Sequence, residues 1–140
     1  MVRVLRRNLL YVAWVVALMS MGGSLFFSEV LKYPPCVLCW YQRIAMYPLV
    51  LIIPIAIIRK TRDARWYILP LGVIGLVIAL YHNLLYYKIL SESTAPCVQG
   101  VSCTFKFIEW FGFITIPLLS LVAFMVVIVS VIWYTNFEQK

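Results

Sequence analysis

Residues 9–28 read "LLYVAWVVALMSMGGSLFFS", a run without one charged side chain. It matches the ~20 apolar residues that an α-helix needs to cross a bilayer. Three further runs follow, at about 40–58, 66–87 and 111–134. All four are continuously apolar and show no alternation of polar and apolar residues, so they read as helices rather than barrel strands. Composition agrees: the chain has 140 residues, of which 64% are hydrophobic and 12% charged, with a mean hydropathy of +0.96. A soluble domain of this size leaves too much surface exposed to hide so much apolar material. The expected fold is an all-α membrane protein, a four-transmembrane-helix bundle forming one integral membrane domain over residues 1–140.

The net charge of +7 does not point to nucleic acid, because the positive residues fall in short clusters between apolar runs. Arg3, Arg6 and Arg7 precede the first run, Arg59, Lys60, Arg62 and Arg65 separate the second from the third, and Lys140 ends the chain. Only Lys32, Lys88 and Lys106, with Arg43 near the edge, fall on the other side. The positive-inside rule then predicts both termini in the cytoplasm and the loops 29–39 and 88–110 outside a cell membrane. The first run is longer than the core of a signal peptide and lacks a clear cleavage site, so it reads as a retained span.

There are four cysteines. Cys36 and Cys39 fall in the first outward loop, Cys97 and Cys103 in the second, and none in a span. Lysine and arginine counts alone therefore place every thiol in the oxidising compartment. Three readings stay open: two structural disulfides, a four-cysteine zinc site, or two pairs that cycle between dithiol and disulfide. Unequal pair spacing weighs against zinc. A Cys-x-x-Cys pair at a helix start, a setting that lowers thiol pKa, favours redox exchange.

In "PPCVLCWYQR", residues 34–43, the two prolines pre-set a helix entry, and the helix dipole near Cys39 favours an anion. Arg43 lies at i+4 from Cys39, on the same helical face and about 6 Å deeper. A charge at that depth needs a partner or must snorkel to the surface. His82, the one histidine, falls at the depth of Cys39 and Arg43, where it serves either as a donor to a bound ligand or as a packed residue. Glu29 and Glu109 read as interfacial. Trp40, Tyr41, Tyr86, Tyr87, Trp110 and Phe111 read as the outer aromatic belt, and Trp66, Trp133 and Tyr134 as the inner one. Gly22, Gly23, Gly72 and Gly75 are expected at close helix contacts. Residues 104–112, "TFKFIEWFG", are expected along the membrane surface or in a loop.

"CVLCWYQR" together with "CVQGVSC" and "EWFGFITIP" resembles the DsbB family of disulfide-generating membrane proteins, in its short Gram-positive form, the BdbC type. The likeness runs from about Trp14 to Pro117. It implies a thiol:quinone oxidoreductase that reoxidises a secreted or membrane-anchored thioredoxin-like thiol oxidase of the DsbA or BdbD kind. Its electrons would pass to a membrane quinone, menaquinone rather than ubiquinone. Carried over, Cys97 would form the mixed disulfide with the partner, and Cys103 would exchange with Cys36. Cys39 would be the thiolate that contacts the quinone, and Arg43 would help bind it; His82, placed by its depth and not by the resemblance, is a candidate donor to the same quinone. The chain departs from larger members in its short Cys97–Cys103 spacing. No haem, flavin or iron–sulfur motif offers another acceptor.

Overall fold

The computed structural model describes residues 1–91, 93, 102–104, 106 and 111–136, without the side chains of residues 2, 3, 6 and 62. Cys97, Glu109 and Trp110 lie outside the described residues, as does most of the 104–112 stretch. Four helices carry the fold: α1 (Val2–Leu25), α2 (Val37–Arg59), α3 (Arg65–Tyr86) and α4 (Ile116–Asn136). Each is long and apolar enough to span a membrane. A π-helical turn, Phe26–Val30, prolongs α1, and a 3-10 turn, Arg62–Ala64, leads into α3. Each helix packs on its neighbour in sequence and α4 closes onto α1, which makes a four-sided bundle.

The fourth helix starts at Ile116, later than the apolar run beginning near Phe111 suggests. Phe111 and Gly112 have φ of 54° and 78°, which a continuing helix cannot accommodate. Thr115 then caps the start: its carbonyl accepts the Leu119 N–H at 3.0 Å and its Oγ1 the Leu118 N–H at 3.4 Å. Hydropathy cannot see this boundary, but a threonine two residues before Pro117 is a helix-start signal. The other ends share a device. Lys32, Lys60 and Lys88 follow the π turn, α2 and α3 at positive φ, where a cation also faces the negative end of the helix dipole.

The bundle centre is built from small and aliphatic side chains such as Ala13, Ala17, Leu49, Ile53, Ala79 and Val127, all fully buried. Equally apolar residues, among them Met19, Leu51, Ile58 and Val77, face outward. That arrangement suits lipid and not water. At the α3–α4 seam, a Cβ on Gly75 would collide with the Phe124 ring, and one on Gly72 would lie 2.9 Å from Ile128. Those two glycines hold the expected close contact. Gly22 and Gly23 do not: among the described residues nothing lies within 4 Å of where their Cβ atoms would be. Two expected belt residues also differ, since Tyr86 and Tyr134 are buried. Their ring positions turn inward, while Trp40, Tyr41, Tyr87 and Phe111 are exposed at one end and Trp66 and Trp133 at the other.

Pro48 and Pro54 sit inside α2 and Pro70 inside α3. A proline lacks the N–H that would bond the carbonyl four residues earlier. Val50 therefore loses its helical donor to Pro54. The indole N–H of Trp14 on α1 donates to that carbonyl at 3.1 Å. Backbone repair and helix pairing are one contact, as a bilayer interior requires.

Candidate functional site

The cysteine end of the bundle is organised by the start of α2. Pro34 and Pro35 keep the chain out of helix until Cys36, which is the N-cap residue with extended backbone. Its Sγ accepts the Cys39 N–H at 3.3 Å, so the helix N-terminus delivers its amide to Cys36 rather than to Cys39. The two Sγ atoms are 2.8 Å apart and both thiols are free. Cys36 is buried and Cys39 half-buried. The Cys39 thiol hydrogen bond holds the Cys36 thiol far below its usual 9.0, at about 4; burial opposes this, and His82 and the Cys39 amide assist. A thiolate at the N-cap is thus available at neutral pH.

His82, on the last turns of α3, is buried and reaches both cysteine loops. Its Nε2 lies 3.9 Å from Cys36 Sγ and 3.2 Å from the Cys103 carbonyl oxygen. Its Nδ1 lies 3.2 Å from Gln42 Nε2. An amide nitrogen can only donate, so Nδ1 accepts and the proton sits on Nε2, which donates to Cys103. Cys103 is buried and disulfide-bonded. With Cys36, Leu38 and Leu85 it forms one buried cluster, so the second loop meets the first pair across the imidazole.

Arg43 does not snorkel freely. Its Nε donates to Ser24 Oγ at 2.7 Å and its Nη2 to the Ser24 carbonyl at 3.0 Å, while the guanidinium lies 5.3 Å from the Trp40 ring centroid. The Ser24 carbonyl also accepts from Ser28 Oγ at 3.1 Å. The end of α1 thus fixes a cation one helical turn inward from Cys39. Sequence reasoning missed Ser24 and Gln42. For Gln42 a signal existed: a polar side chain inside an apolar run, on the face of α2 shared with Cys39.

These groups surround a cavity of ≈560 Å³ whose lining includes Cys36, Cys39, Gln42, Arg43, His82 and Cys103. Its wall continues along α1 through Ser20, Gly23 and Ser24 and along α4 through Pro117 and Ser120. Val15, Met19, Leu119 and Val122 also line it and are exposed on the lipid-facing surface. The cavity therefore opens sideways between α1 and α4. Its size suits a small-molecule ligand. The geometry brings Cys36, Cys39, Arg43, His82 and Cys103 together; Cys97 lies outside the described residues. Cys36 Sγ, Cys39 Sγ and His82 Nε2 also lie within 4.8 Å of one another.

Residues 6–134 match the family described as Disulfide bond formation protein DsbB. The chain is 51% identical over 120 residues to Disulfide bond formation protein C of Bacillus subtilis, covering 86% of this chain and 87% of that one. It is 46% identical over 121 residues to Probable disulfide formation protein C 1 of Bacillus anthracis, covering 86% of each. With Probable disulfide formation protein C 2 of Bacillus cereus it shares 43% identity over 136 residues, 97% of each chain. No solved structure matches it.

Proposed function

The chain belongs to the DsbB family of disulfide bond formation proteins, and on that premise we propose that it is a membrane thiol:quinone oxidoreductase that makes disulfides de novo. The observation that carries this reading is the apolar cavity, open to lipid between α1 and α4, with Cys39, Arg43 and His82 in its wall. A quinone bound there would accept the two electrons that disulfide formation releases. Cys39, Arg43 and His82 are the residues that would hold it, and menaquinone is the acceptor that the Gram-positive resemblance suggests.

The protein's own groups then divide the work. A reduced thioredoxin-like thiol oxidase gives its electrons to the Cys97–Cys103 disulfide, becoming oxidised as that pair becomes a dithiol. The Cys103 thiolate attacks Cys36 of a Cys36–Cys39 disulfide and releases Cys39 as thiolate; Cys97 then displaces Cys36. The shared cluster of Cys36 and Cys103, with His82 Nε2 in reach of both, supports that order. The Nε2 proton of His82, set by Gln42, lies where it can steady or protonate the departing Cys36 sulfur. Arg43, steered by Ser24, supplies positive charge beside Cys39 in a site of low dielectric. The remaining Cys36 and Cys39 dithiol loses two electrons and two protons to the acceptor and closes again.

Lysine and arginine asymmetry supports placing the cysteine end outside the cell membrane and both termini in the cytoplasm. The test is to mix the purified chain with a reduced thioredoxin-like partner and follow quinone absorbance. Quinone reduction that requires Cys36 and Cys39 is expected. Quinone left oxidised, or reduced equally well without those cysteines, would rule the reading out.

A further inference from the structure

We propose that the reduced first pair is a redox-gated site for a thiophilic divalent cation, zinc in the first instance, with Cys36 Sγ, Cys39 Sγ and His82 Nε2 as its three protein ligands. The inference goes beyond disulfide formation and does not depend on which molecule accepts the electrons. It also differs from a four-cysteine site, because Cys103 is committed to a disulfide and the third ligand is a nitrogen from α3.

The geometry is near what zinc requires. Zinc–sulfur and zinc–nitrogen bonds of about 2.3 and 2.1 Å across a tetrahedral angle separate the donor atoms by about 3.6 Å. Cys36 Sγ and His82 Nε2 are 3.9 Å apart. The two sulfurs, at 2.8 Å, must open to about 3.8 Å, a small side-chain rotation for half-buried Cys39 at the cavity wall. The N–H of Cys39 that bonds Cys36 Sγ stays in place and helps hold a thiolate. Two-residue spacing within the pair falls in the range by which chains present two thiolates to one zinc ion.

Charge and outer contacts favour the same ion. Two thiolates, one neutral imidazole and a divalent cation sum to zero, and a neutral set is the least costly to bury. His82 must move its proton from Nε2 to Nδ1 to ligate. Gln42, 3.2 Å from Nδ1, accommodates this by turning its amide so that the carbonyl oxygen accepts the new N–H, a supporting hydrogen bond typical of metal-bound histidines. Ligation breaks the bond from Nε2 to the Cys103 carbonyl, and a water in the fourth position donates to that oxygen instead. Binding displaces the Cys39 thiol proton to solvent and moves no electrons. Closure of the Cys36–Cys39 disulfide removes both thiolates and expels the ion. Zinc therefore stabilises the dithiol state against oxidation, and an oxidant strong enough to close the pair releases it.

The test uses the full chain in lipid nanodiscs with Cys97→Ser and Cys103→Ser, reduced by a phosphine and titrated with zinc chloride against a chromophoric chelator. One zinc per chain is expected in the reduced protein and none after the pair is oxidised. His82→Ala should weaken binding at least tenfold, and Cys36→Ser should abolish it. Cobalt(II) added to the otherwise native chain, with its first pair reduced, reports ligation independently: thiolate-to-metal absorption of two sulfurs should appear and vanish with Cys36→Ser. Equal zinc binding by oxidised and reduced protein, unchanged affinity in His82→Ala, or less than one zinc per reduced chain would overturn the proposal.

Discussion

The α3–α4 seam and the α1–α4 seam use the same residue for opposite ends. At Gly75 the missing side chain is filled by the Phe124 ring, and at Gly72 by Ile128. At Gly22 and Gly23 none of the described residues fills it, and Gly23 lies in the cavity wall. One pair of glycines lets two helices touch; Gly23, by contrast, leaves room in the cavity that holds the thiols. A small residue in a membrane helix signals that space matters there, without saying whether the space is closed or kept open.

The largest difference between the seams should appear on overfilling them. Gly75→Leu, forced against the fully buried Phe124, should cost about 3 kcal/mol or more and prevent stable folding, measured by retention of the folded species in detergent at rising temperature. Gly23→Leu should leave folding intact while lowering affinity for a quinone analogue, since its side chain enters the cavity. Equal loss of folding in both variants would erase the distinction.

The open seam should also show its chemistry in a pH titration. Cys36 is held at about 4, with the Cys39 hydrogen bond as the first cause. A depressed thiol stays ionised above that value, so alkylation of Cys36, followed by mass spectrometry, should persist to about pH 5 and fall only as the pH drops through 4. In Cys39→Ala the midpoint should climb toward the ordinary 9.0. A midpoint that stays put would show that other groups hold the charge.

Smaller effects test the contacts that frame the cavity. Trp14→Phe leaves the Val50 carbonyl without its donor and should destabilise the bundle by about 1–3 kcal/mol in a denaturation series. Ser24→Ala removes one of the two bonds that hold Arg43, the one to Oγ, and should raise the quinone KM about fivefold, the equivalent of about 1 kcal/mol, with thiol exchange unchanged. In an Arg43→Lys background the same change should do little more, a cycle that separates steering of Arg43 from helix packing. The smallest effect is expected from Lys60→Gly, where relief of φ 52° should stabilise by no more than about 1 kcal/mol.

Helix number and the gathering of Cys36, Cys39 and Cys103 at one end could be read from hydropathy and charge because each is a property of a whole segment. Rotation of a helix about its axis could not. In water a polar face marks the outside, but here lipid and core are equally apolar, so Tyr86 and Tyr87 look alike in sequence although one is buried and the other exposed. The same blindness hid Ser24 and Trp14, whose partners stand on another helix. Pro54 announces a carbonyl in need of a donor without naming the donor. His82 stood out as the one histidine and Gln42 did not, and their pairing depends on how α2 and α3 face one another. The start of α4 was missed for a different reason: apolar side chains continue through Phe111 and Phe113 while the backbone does not.

Cys36 is the cap of α2 and, in the function proposed above, also a redox group, so one bond would link chemistry to helix order. A thiolate accepts the Cys39 amide strongly, whereas a disulfide sulfur is a poor acceptor. Each catalytic cycle should therefore tighten and fray the first turn of α2 in step with electron flow. The exchange rate of a single amide proton becomes a clock hand for the enzyme, readable without touching a thiol.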